Sequence, residues 1–326
     1  MKIAIVGGGI SGLAAAYFLR RHKPVVFEAS GRLGGVISTE RDRGFLIEGG
    51  PDSFVAGKPA ARELCDELGL PVIPTKQRGA YLYDGALRPL SMEMPREAPR
   101  EGETVADYAR RCGTPDFADL VAGIYMTEPD RLGATACLPL GGGGFVAPRD
   151  GMQSLVDALT PERVEFRAVE SLDIADVVIL ATPAPVTAKL LGIENPTAYV
   201  ESTVVALGYE NVALPEGTGF IARGRRISAC TFSSNKFEGR APPGGALVRV
   251  FFRGDGDAAT AREDLRVIVD AEPAVVRVFR HRGPVYGVGH RAPPAPPNVH
   301  LIGAAWRGVG IPDCIAGAFD VARRIG

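Results

Sequence analysis

The sequence predicts an α/β protein in which a parallel, doubly wound sheet is joined to a second, mixed sheet. The first observation is that Lys2 to Val6, Ile10 to Arg21 and Pro24 to Glu28 form a strand, a helix and a strand around a glycine turn, which is the crossover unit of parallel sheets. The second is the apolar run from Asp176 to Ala181, typical of a strand inside such a sheet. The third is a series of strand-like segments in mixed order from Thr197 onward, which indicates a separate sheet.

Periodicity predicts the other elements. Apolar residues at helical spacing predict helices over 57–69, 104–112, 151–159, 260–270 and 315–324. Alternating or apolar runs predict a hairpin over 80–90 and strands over 197–210, 226–237, 246–253, 275–281 and 299–302. A glycine run at 141–144 is interpreted as a flexible connection. Because a strand, a glycine turn and a helix recur at the C-terminal end, we expect a discontinuous first domain (1–75, 146–195 and 296–326) and a second domain (76–145 and 196–295).

Composition excludes several classes of protein. The chain has 326 residues, 46% of them hydrophobic, and a net charge of −1, so it offers no positive field for a nucleic acid. The five cysteines are far apart and lack the spacing of a zinc site, so we expect reduced thiols, no metal and a cytoplasmic protein. The glycines near the N-terminus argue against a cleaved signal or a membrane span there.

The first glycine motif predicts a dinucleotide site. In Gly7-x-Gly9-x-x-Gly12 the glycines permit a tight turn, close approach of backbone to a pyrophosphate, and close packing of helix on strand. The helix N-terminus then faces the phosphates. Glu28, at the end of the next strand, can accept hydrogen bonds from ribose hydroxyls. This motif alone does not separate NAD from FAD.

A second glycine pair favours FAD. Arg32 and the doublet Gly34-Gly35 follow Glu28 closely, so the backbone can lie against a further part of a long cofactor and the guanidinium can add positive charge near the pyrophosphate. Near the C-terminus, Gly303 and the turn from Gly308 to Asp313 precede another helix, whose N-terminal dipole can stabilise a negatively charged, reduced flavin ring.

Several stretches together resemble the protoporphyrinogen and coproporphyrinogen oxidases of haem synthesis, within the FAD amine oxidase superfamily. The two with the greatest specificity are Glu48 to Phe54 and Gly308 to Ile315. The other matching stretches, in family order, are Ile5 to Gly12, Glu28 to Gly35, Tyr81 to Tyr83, Gly123 to Tyr125, Gly151 to Leu155, Thr231 to Phe237 and Val285 to His290.

The resemblance implies an FAD domain of the p-hydroxybenzoate hydroxylase type and a mixed-sheet substrate domain over the flavin. It also implies removal of six electrons from a porphyrinogen, with dioxygen as acceptor and release of hydrogen peroxide. Such chemistry requires a flat apolar slot more than an acid or base, so no catalytic side chain is predicted. The residues expected to bind FAD are Gly7, Gly9, Ile10, Ser11, Gly12, Glu28, Ala29, Arg32, Gly34, Gly35, Gly50, Pro51, Asp52, Ser53, Val169, Ala181, Thr182, Gly303, Val309, Gly310 and Ile311.

Within that set the resemblance places Gly50 to Ser53 near the flavin ring and Val169 near the adenine. It places Ala181 and Thr182 along the cofactor, and Gly303 with Val309 to Ile311 at the ribityl and pyrimidine end.

For the substrate, Arg78 is the candidate cation for a propionate, since the family often has an arginine just before the Tyr81 to Tyr83 match; here Ala80 stands at that place. The family's helical membrane-binding region is reduced here, so a peripheral contact with the cytoplasmic membrane or a haem-pathway enzyme stays open. Protoporphyrinogen is the leading substrate. Coproporphyrinogen III, another FAD oxidase or desaturase activity on an amine or a polyene, and a non-catalytic flavin- or porphyrin-binding protein remain as alternatives.

Overall fold

The computed structural model describes residues 1–91, 93–138 and 140–326; Met92 and Pro139, in the predicted substrate domain, lie outside them. The strands of this part of the chain are β1 Ile3–Val6, β2 Val25–Phe27, β3 Thr39–Asp42, β4 Phe45–Glu48, β5 Phe54–Val55, β6 Val72–Pro74, β7 Tyr81–Tyr83, β8 Leu87–Pro89, β9 Phe145–Pro148, β10 Val164–Glu165, β11 Val177–Leu180, β12 Tyr199–Tyr209, β13 Gly219–Ala222, β14 Ala229–Phe232, β15 Ala246–Arg253, β16 Val275–Pro284 and β17 Val299–Leu301. The helices are α1 Ile10–Phe18, α2 Pro59–Glu67, α3 Val105–Cys112, α4 Pro115–Tyr125, α5 Ala134–Cys137, α6 Gln153–Ala158, α7 Ala184–Leu191, α8 Ser233–Lys236, α9 Ala258–Leu265 and α10 Ile311–Ile325, with a 3-10 turn at Arg20–His22.

A five-stranded parallel sheet has the order β10-β2-β1-β11-β17. Its central strands β1 and β11 are almost entirely buried, because helices cover the sheet. Seven of the nine residues of α1 are buried, and α1 packs against α10 in one apolar cluster. Since all the strands are parallel, their carboxyl ends meet at one edge of the sheet, where ligands of such folds bind.

A seven-stranded sheet has the order β16-β12-β15-β14-β13-β7-β8. It is antiparallel except for the parallel pairing of β13 with β7. Alternate side chains of β12 and β15 pack with α9 in one apolar cluster. The opposite face carries Leu247 and Phe279, which pack on Phe45 and Ile47 of β4. The second sheet therefore contacts the β3–β4 hairpin directly.

The three helices after β8 form a separate cluster that reaches Tyr286. Thr104 caps α3, because its hydroxyl accepts a hydrogen bond from the Asp107 N–H. Gly113 then ends the helix in the left-handed region, with φ of 70°.

Three sequence interpretations need correction. The segment predicted as one strand over 226–237 contains β14 and then the short helix α8. The closing helix starts at Ile311 rather than 315, because Gly310 is its N-cap and Pro312 lies in its first turn. The glycine run is not a loose connection: Gly57 N–H donates to Gly142 O at 2.8 Å, and Ala56 N–H donates to Gly144 O at 2.9 Å. Across the described residues, the helices are too short or too polar to cross a bilayer.

Candidate functional site

The carboxyl edge of the parallel sheet brings the predicted cofactor residues together. Gly7 follows β1 and Glu28 follows β2, while Ala181 follows β11 and Gly303 lies two residues after β17. A Cβ on Gly303 would lie 3.6 Å from Ser11 Oγ and 4.0 Å from the Ala181 carbonyl carbon. Residues almost 300 positions apart therefore line one edge, where the N-termini of α1 and α10 also lie.

The glycines of the first motif have different structural reasons. Gly7 has φ of 108°, and a Cβ there would lie 2.6 Å from Ala181 O. A Cβ on Gly12 would lie 1.9 Å from Gly7 O, so this glycine lets α1 pack on β1. Gly9, by contrast, has φ of −75°, and its Cβ would meet only the Gly35 Cα at 4.0 Å. Protein packing explains Gly7 and Gly12, whereas the space at Gly9 is open for a ligand.

Glu28 lies directly after β2, beside the first glycine turn. Its carboxylate accepts hydrogen bonds from the Gly8 N–H and the Ser30 N–H, both at 2.7 Å. These bonds hold the carboxylate over the first glycine turn, at the place where ribose hydroxyls would be bound. Ala29 is exposed beside it.

The second glycine pair lies directly against the first motif. Gly34 N–H donates to Gly8 O at 2.8 Å, and Gly34 and Gly9 form a parallel bridge. Both doublet glycines have positive φ, 105° and 60°. The Arg32 guanidinium donates to backbone carbonyls of the same loop, including Gly35 O and Ile37 O. Arg32 therefore holds the loop, and the predicted contact with the pyrophosphate remains an expectation.

The loop from Gly49 to Ser53 continues this surface toward the second sheet. Gly49 N–H donates to Ser38 O at 2.8 Å, and a Cβ on Gly50 would lie 1.9 Å from Val36 O. On the other side, a Cβ on Gly49 would lie 2.8 Å from the Phe279 ring. Small residues are required because the loop lies between the segment from Val36 to Ser38 and the second sheet.

A group of buried charges lies behind this loop. Lys236 Nζ donates to Asp52 Oδ1 and to Ser53 Oγ, both at 2.9 Å. Arg249 Nη1 lies 3.4 Å from Asp52 Oδ2, and its Nη2 donates to Gly50 O. Burial alone would raise the pKa of Asp52, but the charges of Lys236 and Arg249 outweigh it and hold this pKa well below 3.8. Asp52 is therefore ionised at neutral pH.

Two further titratable groups border the loop. The Glu48 carboxylate is 2% exposed and accepts from Thr39 Oγ1 at 2.7 Å and from the Met152 N–H at 2.9 Å; burial nevertheless raises its pKa. His281 Nε2 lies 2.8 Å from Gly49 O, so this nitrogen must carry the proton. Burial lowers the pKa of His281, which favours the neutral ring.

Tyr286 ties the C-terminal turn to the helical segment. Its hydroxyl donates to Ala304 O and accepts from the Gly308 N–H, both at 2.8 Å. Its carbonyl accepts from the Gly133 N–H at 2.8 Å, just before α5. Within the α10 N-terminus, Asp313 pairs with Lys58 Nζ at 2.8 Å. The turn that precedes α10 is thus fixed from two sides.

A cavity of about 440 Å³ opens at this turn. Aromatic rings line one wall: Tyr125 and Tyr286 have centroids 5.8 Å apart, Tyr286 and His290 are 4.1 Å apart, and His290 stacks on Trp306 at 6.3 Å. Lys58, Arg307 and Asp313 supply its charged groups. The arrangement combines flat aromatic surfaces with several polar and charged groups, which suits a large planar ligand that carries charged substituents.

Two predicted residues lie away from this turn. Val169 packs in the cluster of Phe27 and Leu180, on a face of the parallel sheet near the end of β2. Arg78 is exposed before β7, and in the described part of the chain its side chain makes no hydrogen bond or ion pair. The structure does not bring Arg78 to the cavity, and its proposed contact with a propionate stays a prediction.

Sequence reasoning missed the side chains that support the loop and the turn, chiefly Lys236, Arg249 and Tyr286. A signal exists for Arg249, a charge within the otherwise apolar strand Ala246 to Phe252, since charged residues are almost never fully buried unless paired. Five free cysteines are present, four of them buried. The described residues contain no group of three or more His, Cys, Asp or Glu side chains suited to a metal.

The residues at the sheet edge fit FAD. The open space over Gly9 and Gly35 is a cradle that a Cβ would narrow. The Glu28 carboxylate lies beside it, where it could accept hydrogen bonds from ribose hydroxyls, and α10 offers a helix N-terminus at the far end. The strip from Glu28 through Gly9 and Gly50 to Val309 suits a long dinucleotide.

Comparison with known families and proteins agrees with this geometry. A family of NAD(P)-binding Rossmann-like domains matches residues 5–68. The coproporphyrinogen III oxidase of Propionibacterium freudenreichii subsp. freudenreichii is 29% identical, over 97% of this chain and 89% of the relative. The coproporphyrinogen III oxidase of Bacillus subtilis (strain 168) is 26% identical, over 96% of this chain and 95% of the relative. Protoporphyrinogen oxidase 2 of Arabidopsis thaliana is 36% identical over 25% of this chain and 17% of its own.

Solved structures are similar over the whole chain. A proposed protoporphyrinogen oxidase from Exiguobacterium sp. 255-15 is 25% identical with a TM-score of 0.80, covering 99% of this chain and 98% of its own. A putrescine oxidase structure shares the fold, with 16% identity and a TM-score of 0.71. The match covers 99% of this chain and 98% of the putrescine oxidase chain.

These findings confirm the predicted α/β class with a Rossmann-like cofactor domain. They also confirm the resemblance to the porphyrinogen oxidases, and they support the expectation of an FAD-dependent oxidoreductase. The resemblance is to longer proteins, since the alignment with the Propionibacterium protein has 468 positions and this chain has 326 residues.

Proposed function

We propose that this protein oxidises a porphyrinogen to the porphyrin, with FAD as the bound cofactor and dioxygen as the electron acceptor. The observation that carries the proposal is the aromatic-walled cavity at the turn before α10, next to the glycine-lined cofactor edge. Bound FAD supplies the acceptor for hydride equivalents taken from the macrocycle.

The side chains are assigned the roles of binding and orienting the cofactor and the substrate, and none is assigned a proton transfer. Glu28 and the glycine turns would hold the dinucleotide, and the loop from Gly49 to Ser53 would contact its flavin part. The N-terminus of α10 provides backbone N–H groups and a positive dipole end at the pyrimidine side. Tyr125, Tyr286 and Trp306 form walls that exclude water from the reacting faces.

Coproporphyrinogen III is the substrate we favour. Four relatives that match over nearly the full chain are coproporphyrinogen III oxidases, whereas protoporphyrinogen oxidase 2 of Arabidopsis thaliana matches over a quarter of it. A substrate with four propionates needs cations around the cavity, and Lys58, Arg307 and the more distant Arg78 are the candidates.

Anaerobic reduction tests the proposal directly. The FAD-loaded protein is mixed without oxygen with coproporphyrinogen III or protoporphyrinogen IX in parallel, and flavin absorbance and porphyrin fluorescence are followed. We expect coproporphyrinogen to bleach the flavin absorbance. After oxygen is admitted, porphyrin and hydrogen peroxide should form in a ratio of three peroxide molecules for each porphyrin. Binding of porphyrin without flavin reduction would make the protein a non-catalytic binder, and reduction by an amine alone would indicate another oxidase.

A further inference from the structure

The buried charges behind the loop from Gly49 to Ser53 are unevenly balanced. Lys236, Arg249 and Arg240 are 8%, 2% and 1% exposed. The buried carboxylates that face them are Asp52 and Glu48. Arg41 and Asp150 also lie near Arg240, but they are exposed and pair with each other, so they add no net charge. Three cations therefore meet two carboxylates, and one positive charge remains without a partner in this group. Because burial raises the pKa of Glu48, its protonation would only increase the excess.

The contacts show that the cations act on the loop. Lys236 follows β14 and reaches Asp52 and Ser53, and Arg249, from β15, donates to Gly50 O. Lys236 Nζ also lies 4.7 Å from the centroid of the Phe145 ring. The two cations thus come from the substrate domain, and each is bound to the cofactor-facing loop.

Three polar atoms of this group make no hydrogen bond. Among the described residues, Asp52 Oδ2, Arg240 Nε and Arg249 Nε are buried without one. A buried, incompletely satisfied charged group costs free energy, and such groups are typical of a site where charge has a role beyond stability. The loop itself contacts the segment from Val36 to Ser38, directly after the glycine doublet, so the field of the group extends toward the cofactor cradle.

We propose that Lys236 and Arg249 are positioning residues that hold the loop from Gly49 to Ser53 against FAD and, through their excess positive charge, stabilise its reduced, negatively charged form. The proposal rests on the function proposed above and deepens it. Lys236 tunes the driving force for substrate oxidation without touching the substrate, and Asp52 moderates this effect because it cancels one of the charges.

The redox potential of bound FAD in four variants tests the inference, because the variants change the net positive charge of the buried group. This charge falls by one in Lys236→Met and rises by one in Asp52→Asn. In the double variant it equals the wild-type value. We expect the affinity for reduced FAD relative to oxidised FAD to fall at least tenfold in Lys236→Met, about 30 mV for this two-electron couple. It should rise by a similar factor in Asp52→Asn and lie within threefold of wild type in the double variant. Lys236→Arg, which keeps the charge, should restore the potential.

The measurement is a reductive titration of the FAD-loaded protein with xanthine, xanthine oxidase and a reference dye, so no porphyrinogen is needed. Lys189→Met, at an exposed position on α7, is the matched control and should leave the potential unchanged. Unchanged redox potentials in both single variants would overturn the inference. A double variant whose potential is as low as that of Lys236→Met would also overturn it. A protein that shows these shifts but oxidises no porphyrinogen would overturn only the proposed substrate.

Discussion

Replacement of Gly9 by alanine separates folding from cofactor binding. The glycine has an extended backbone, with φ of −75° and ψ of 177°, that alanine can adopt, and the nearest atom to its Cβ would be the Gly35 Cα at 4.0 Å. Replacing glycine at this N-cap lowers the free energy of unfolding by roughly 0.5 to 1 kcal/mol. The reduced conformational entropy of the unfolded chain raises it by roughly 0.4 to 1 kcal/mol. We therefore expect the free energy of unfolding of the apoprotein to change by less than about 0.5 kcal/mol.

The affinity for FAD should change far more. If the pyrophosphate lies against Gly9, the added methyl group occupies its space, and affinity should fall at least tenfold, about 1.4 kcal/mol. Calorimetric titration of the apoprotein with FAD gives the affinity, and urea unfolding without FAD gives the stability. The reasoning is refuted if Gly9→Ala binds FAD within twofold of wild type.

Gly12→Ala is the matched control for this experiment. Its Cβ would lie 1.9 Å from Gly7 O, so α1 must move away from β1. Such overpacking costs about 1 to 3 kcal/mol, and the loss should be visible in the apoprotein. Comparable stability losses in the two variants would show that Gly9, too, is required by packing.

Two other perturbations follow from the hydrogen bonds of the site. Tyr286→Phe removes a hydroxyl that serves Ala304 O and the Gly308 N–H, and the two unpaired groups should lower the free energy of unfolding by about 1 to 3 kcal/mol in a urea titration. Ionised Asp52 stabilises the fold above its unfolded pKa of 3.8, and this contribution is lost as pH falls, because its folded pKa is lower. The stability difference between wild type and Asp52→Asn, measured by urea unfolding, should shrink by about 1.4 kcal/mol per pH unit below 3.8.

Controls distinguish these effects from general damage. Tyr81→Phe removes a hydroxyl that makes no hydrogen bond in the described residues, so its free energy of unfolding should stay close to that of wild type. A loss equal to that of Tyr286→Phe would contradict the role of the hydroxyl. For Asp52, a stability difference that does not vary between pH 3.8 and pH 2.8 would contradict the assignment of an ionised carboxylate.

Local backbone requirements explain why the cofactor edge could be predicted from sequence. Gly7 needs a positive φ and Gly12 needs contact with Gly7 O, and both constraints arise within six residues. The strand and helix on either side have the periodicities of their types, so motif and context agree.

The charges behind the loop could not be predicted in the same way. Lys236 meets Asp52 across 184 positions, and Arg249 meets Gly50 across 199 positions. No local pattern encodes these pairings, because they depend on how the second sheet packs on the β3–β4 hairpin. The strand predicted over 226–237 was wrong for a related reason: β14 ends where α8 turns Lys236 toward the loop, and this turn is stabilised by tertiary contacts rather than by propensity.

The helical segment from α3 to α5 makes direct backbone contacts with the site. Gly133, before α5, donates to Tyr286 O, and a Cβ on Gly133 would lie 2.7 Å from Gly287 O, so backbone meets backbone there. The Tyr286 hydroxyl in turn holds Ala304 and the Gly308 N–H of the turn before α10. Movement of the helices must therefore displace the aromatic wall and the turn together.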